Sequence, residues 1–161
     1  MTKTILALCI AALVSPVAFA AEATTPPSTT LRGGNAIDDY DEPPSYDFEV
    51  DAITDEYLEA YPWGVSYLDS ASWKHYLPYL LDYALRNIDK CNQVTDALLS
   101  SLRPPDREPP RLASLSVEQE ALVTQCLDAL AFSQESANQA LACQVLEEWW
   151  LPGALFRVAP T

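Results

Sequence analysis

Histidine is almost absent. His75 alone represents it among 161 residues, which largely excludes His-built metal centres and leaves one residue for any Ser/His or Cys/His nucleophile. Glycine is scarce, four against 13 prolines, a balance that argues against a strand-and-turn sandwich and for helices with stiff connections. Basic residues are few as well. Nine Lys and Arg face 23 Asp and Glu, a net charge of −14, so the clustered cations that nucleic-acid phosphates require are missing. There is no Cys-x-x-Cys pair, no Gly-rich phosphate loop and no Asp-x-Asp-x-Asp-Gly calcium loop. No apolar run reaches the ~20 residues of a membrane-spanning helix. The sequence therefore implies no cofactor, no metal and no membrane span. What it does contain is ordinary globular material, 49% hydrophobic and 20% charged, in about one domain's worth of chain.

The first twenty residues read as an export address. Lys3 supplies a positive charge, Ile5 to Val14 is a short apolar stretch, and Ala18-Phe19-Ala20 fits the small-x-small site of signal peptidase. Residues 1–20 are thus expected to be a signal peptide cleaved after Ala20, sending the mature chain to a periplasmic or secreted location. Cleavage would remove Lys3 and Cys9, leaving eight Lys and Arg against 23 Asp and Glu, a net −15, with Cys91, Cys126 and Cys143. Three cysteines in an oxidising compartment allow one disulfide with a free thiol, or a disulfide-linked dimer in place of a monomer. Helix-hairpin geometry favours Cys126 as one partner and leaves Cys91 or Cys143 as the other.

Residues 21–48 are expected to be a disordered acidic and Pro-rich leader. Thr24 to Thr30 is Thr, Pro and Ser, Gly33-Gly34-Asn35 reads as a flexible break, and Pro43-Pro44 cannot sit inside a helix. From Asp38 to Glu59 there are ten acidic residues and no basic one. Asp38, Asp39, Asp41, Glu42, Asp55 and Glu56, with the nearby aromatics Trp63 and Tyr67, make a candidate docking strip for a basic protein. The competing reading is a solvated, self-repelling segment that keeps the precursor extended for export.

Residues 49–158 carry helical periodicity and predict an all-α, single-domain bundle of about five helices. A first helix is expected from near Val50, using Ile53, Tyr57 and Tyr61. The second is the clearest: after a cap at Asp69 or Ser70, Trp73, Tyr76, Leu77, Leu80, Leu81, Ala84, Leu85 and Ile88 recur on one face. Pro78 interrupts that stripe and predicts a kink with a freed Lys74 carbonyl. A third helix runs over about Asn92–Leu102. Arg103 to Arg111, with four prolines in nine residues, is a stiff strap between two hairpins, and a proline-rich ligand motif is the alternative to that reading. The fourth helix opens on the capping box Ser116-Val117-Glu118-Gln119. Ser133 is expected to cap the fifth, with Ala137, Leu141, Val145, Leu146 and Trp149 inward.

Catalytic arrangements find little support. His75 adjoins Tyr76 in an apolar helix with no nucleophile motif beside it. Glu147 and Glu148 are adjacent, so a helix turns them about 100° apart and away from a shared substrate. No catalytic residue is assigned.

The block Tyr67-Leu68-Asp69-Ser70-Ala71-Ser72-Trp73-Lys74-His75-Tyr76-Leu77-Pro78-Tyr79-Leu80-Leu81 resembles the signature helix of a bacterial domain-of-unknown-function family. Leu115-Ser116-Val117-Glu118-Gln119 is similar to its later Leu-Thr-x-Glu-Gln helix, and Glu148-Trp149-Trp150 to its closing aromatic-Trp pair. The resemblance spans about residues 60–151 and departs from the pattern at Ser70-Ala71, where Pro-Glu is usual. It implies a fold and supplies no activity.

These features favour a small exported protein-binding module, of inhibitor or immunity type, directed at a basic envelope enzyme. Electrostatic steering suits such a pair. A structural or stress-related envelope protein without one tight partner is the alternative, and a carboxylate-dependent enzyme a remote third.

Overall fold

The computed structural model describes residues 25–157, so the expected signal peptide, residues 1–20, lies outside the described residues. Helix α1 (Leu31–Asp38) is the first element. Thr30 caps it by accepting the Gly33 N–H at 2.8 Å, and Leu31 is fully buried. This overturns the expectation of a disordered leader over this stretch. Gly33 and Gly34 act as contact residues and not as a flexible break: a Cβ on Gly34 would lie 2.9 Å from Gly64 Cα and collide with the Gly64 carbonyl. Backbone meets backbone there, which only glycine on both sides permits. At the far end Asp41 N–H bonds the Ala36 carbonyl and Tyr40 N–H the Ile37 carbonyl, the paired bonds of a Schellman termination.

Helix α2 is short, Asp55–Ala60. It starts at Thr54, whose hydroxyl accepts the Tyr57 N–H at 3.2 Å, not near Val50 as the periodicity suggested. Asp47 explains the delay, because its carboxylate takes the N–H groups of Glu49 and Val50 and its carbonyl that of Asp51, closing a turn that leaves Val50 exposed. A 3-10 turn, Pro62–Tyr67, follows and packs against α1.

Helix α3, Ser70–Arg86, is the spine of the domain. Asp69 caps it, and every residue of the predicted stripe from Trp73 to Ile88 is buried. Pro78 lies inside the helix, which continues through it. Helix α4 (Gln93–Ser101) is capped by Asn92, whose side-chain oxygen accepts the Thr95 N–H at 2.8 Å.

The strap then crosses the bundle. Asp106 gathers four backbone N–H groups, from Arg107, Arg111, Leu112 and Ala113, at 2.8–3.0 Å. Burial pushes that carboxyl up, but the four bonds outweigh it and hold it below the usual range. Arg111 is buried and donates to the carbonyls of Val65 and Leu68, which ties the strap to the 3-10 turn. Desolvation brings its pKa down to about 10, so it stays protonated at neutral pH. Helix α5 (Val117–Phe132) carries the expected capping box in full, Ser116 with Gln119.

The last hairpin differs from expectation. Ser133 ends α5, its N–H closing on the Ala129 carbonyl, and α6 begins only at Gln139 and runs to Val145. A π turn, Leu146–Trp150, continues it, with Leu151 N–H on the Leu146 carbonyl at 3.0 Å. The extra residue rotates the following side chains, so Trp150 enters the core and bonds the Leu102 carbonyl while Trp149 is left half-buried. The described residues form one all-α domain without strands, its core at the meeting of α3, α4, α5 and α6.

Candidate functional site

The acidic stretch becomes two structures with different roles. Its interior member is Asp51, buried and held from three directions. Arg32 donates from Nε and Nη2 to its two oxygens at 3.0 and 2.8 Å, the Tyr57 hydroxyl donates at 2.9 Å, and the Asp47 N–H at 2.9 Å. Burial raises this carboxyl, yet the bonds from Arg32, Asp47 and Tyr57 prevail and its pKa lies below the ordinary value. Arg32 also reaches the Ser45 carbonyl at 3.2 Å. One guanidinium thus fastens the segment between α1 and α2 at its middle, Ser45, and near its end, Asp51.

That fastened segment, residues 39–50, is exposed throughout. It presents Asp39, Asp41, Glu42, Asp47 and Glu49 together with Tyr40, Tyr46 and Phe48. Asp38, at its start, accepts the Tyr67 hydroxyl at 2.7 Å, and that bond raises the Tyr67 pKa. Tyr67 and Trp63 stand exposed on the 3-10 turn packed beneath α1. Of the expected strip, the fold brings Asp38 and Tyr67 into contact and leaves Asp39, Asp41, Glu42 and Trp63 exposed.

Tyr40 is the least expected residue of this face. It sits at the left-handed end of α1 with φ 62°, a position that usually takes glycine, and its side chain is 98% exposed. The sequence offered a signal for it and for Tyr46 and Phe48, namely aromatics dispersed within an acid run, but no periodicity marked them.

Asp55 and Glu56 belong elsewhere, on α2. Asp55 takes two bonds from Arg86 at 2.7 Å, and Arg86 also grips Asp82 at 2.7 Å. Hydrogen bonding to Arg86 holds Asp55 below the usual carboxylate range. Asp55 is an intramolecular partner, and Glu56 is exposed beside it.

The expected disulfide is absent. Cys91, Cys126 and Cys143 are all free thiols. Cys126 is fully buried with its sulfur 3.9 Å from the Leu81 carbonyl of α3, whereas Cys143 approaches the Ala131 carbonyl and Cys91 the Ala137 carbonyl. Each points to a different backbone. Burial pushes the Cys126 thiol up to about 12. His75 meets Tyr76 edge-on, with ring centroids 5.1 Å apart, and lies tilted against Tyr79 at 6.4 Å. Glu147 is exposed while Glu148 is buried in a two-bond pair with Arg103, so the two carboxylates do diverge. Among the described residues, no group of three His, Cys, Asp or Glu could hold a metal ion. No helix among them is long and apolar enough to cross a membrane.

A small all-α domain, built on one proline-bearing central helix and displaying an acidic, aromatic N-terminal face, is the class these observations define. The chain belongs to the Family of unknown function (DUF6714), whose model matches residues 12–154. That span exceeds the 60–151 of the sequence resemblance and includes α1, in keeping with its place in the packed domain. No curated protein and no solved structure matches the chain.

Proposed function

We propose that this protein is an exported binding module whose acidic, aromatic face docks a basic protein, acting by association and not by turnover, as an inhibitor or immunity-type protein would. The observation that carries the reading is Tyr40. An L-residue in the left-handed region costs about 1–2 kcal/mol relative to glycine, and a side chain that is 98% exposed recovers none of it by burial. Strain retained without a folding benefit is the mark of a residue kept for an external contact. The acids around it supply steering toward a basic surface, and the rings of Tyr46, Phe48 and Trp63 supply the apolar contact area on which interface affinity rests. In this reading residues 1–20 are the signal peptide, and Tyr67–Leu81 is the family's bacterial signature.

The test uses the full chain as bait against an envelope extract, followed by affinity measurement on the purified basic protein recovered. Expected is binding that weakens steeply with salt and is lost in the variant Asp39→Asn/Asp41→Asn/Glu42→Gln/Glu49→Gln. Binding that survives both high salt and this variant would remove the acidic face from the interaction. The expressed chain should also mature to a form beginning at Ala21; retention of residues 1–20 in the cytoplasm would overturn the export part.

A further inference from the structure

Building on the docking role proposed above, we propose that the acidic, aromatic face takes arginine side chains of its partner in preference to lysine, at a site made by Asp38 and the rings of Tyr67 and Tyr40.

The chain shows the chemistry on itself. Among the described residues, three carboxylates accept a tyrosine hydroxyl: Asp51 from Tyr57 at 2.9 Å, Glu59 from Tyr83 at 2.7 Å and Asp38 from Tyr67 at 2.7 Å. Arginine accompanies the first two. Arg32 forks onto Asp51 through Nε and Nη2 at 3.0 and 2.8 Å. Arg86 lies over the Tyr83 ring, its Cζ 5.8 Å from the centroid, while it grips Asp55 and Asp82. Arg157 repeats the combination elsewhere, bonded to Glu120 at 2.7 Å with its Cζ 5.7 Å from the Trp149 ring centroid. The third pair, Asp38 with Tyr67, is exposed, and Arg32, Arg86, Arg103 and Arg157 are committed to other carboxylates.

This pair suits a guanidinium. The single bond from Tyr67 leaves Asp38 with lone pairs for two parallel N–H donors, and it holds the carboxylate beside a ring. Tyr67 is 41% exposed, and Tyr40, two residues after Asp38, projects fully. Tyr40 lies near the pair: after the Asp38 bond and desolvation, the fields of Asp38 and Tyr40 also raise the Tyr67 pKa. A planar guanidinium covers a ring and forks onto a carboxylate at once. An ammonium is a compact, strongly hydrated charge that pairs with the carboxylate and gains less from the rings. Asp39, Asp41 and Glu42 attract either cation, so the preference is set by the rings and the fork.

The experiment titrates the ¹⁵N,¹³C-labelled full chain with blocked Gly-Arg-Gly-Arg-Gly and Gly-Lys-Gly-Lys-Gly peptides and follows the amides of residues 38–41 and the Tyr67 ring. The arginine peptide should bind about fivefold more tightly than the lysine peptide and shift these signals saturably. Tyr40→Ala removes a ring that no core residue covers. It should bring the arginine peptide down to the affinity of the lysine peptide, which stays nearly unchanged. Equal affinities in the wild type would overturn the arginine assignment and leave the basic-partner reading standing. Failure of both peptides to shift the face at millimolar concentration would overturn the two together. An arginine preference that survives Tyr40→Ala, or shifts centred away from Asp38 and Tyr67, would overturn the site.

Discussion

Replacing Tyr40 by glycine should make the protein more stable and worse at its task. The left-handed backbone at Tyr40 costs about 1–2 kcal/mol that glycine avoids. Glycine gives back about 0.5–1 kcal/mol through its freedom in the unfolded chain. The ring is 98% exposed and so contributes no burial to lose, and the Tyr40 N–H bond to Ile37 survives because it is backbone. The net is a gain of about 0.5–1 kcal/mol, or about 2–4 °C in Tm for a domain of this size. Urea midpoints and calorimetry on wild type, Tyr40→Gly and Tyr40→Ala measure it. Alanine keeps the strain and loses the ring, so its stability should stay within about 0.5 kcal/mol of wild type, while both variants should bind the proposed basic partner more weakly. A Tyr40→Gly protein less stable than wild type would refute the reasoning, because the ring would then be holding the fold.

Asp51→Asn should destabilise by about 3 kcal/mol, the cost of leaving a mostly buried Arg32 without its carboxylate, as urea unfolding would register. Because the Asp51 pKa is depressed on folding, its contribution is present above the unfolded value near 4 and lost as pH falls through the folded value. The wild-type stability curve should therefore drop below about pH 4, and the variant's should drop less. Gly64→Ala should cost about 2–3 kcal/mol through collision with the Leu31 backbone, read as a lowered Tm. Thiol labelling followed by mass spectrometry should modify Cys91 readily, Cys143 more slowly and Cys126 only on unfolding; a mass corresponding to a disulfide among them would contradict the structure.

The central helices were legible because their signals are local. The apolar stripe of α3, the Asp69 cap and the Ser116–Gln119 box all lie within a few turns of sequence, and each appears as read. Helix α1 was not, because Gly34 has meaning only against Gly64, thirty residues later. In isolation Gly-Gly reads as a break. The π turn was equally hidden: it is selected by the Trp150 bond to Leu102 and the Glu148 pair with Arg103, each more than forty residues distant. Of the candidate face, the acids were visible by count, but their division was not. Only the fold separates Asp51 and Asp55, which serve Arg32 and Arg86, from the residues 39–50 that face solvent.

The tie between Arg32 and Asp51 bears on what a partner would encounter. It fastens the acidic segment at Ser45, Asp47 and Asp51, so the conformational entropy of those residues is already lost when the chain folds. Association would then proceed onto a preorganised surface and carry little of the ordering penalty that coupled folding imposes. Its calorimetric signature would be a small negative heat-capacity change that scales with the aromatic area covered, distinct from the large one that accompanies a segment folding on contact.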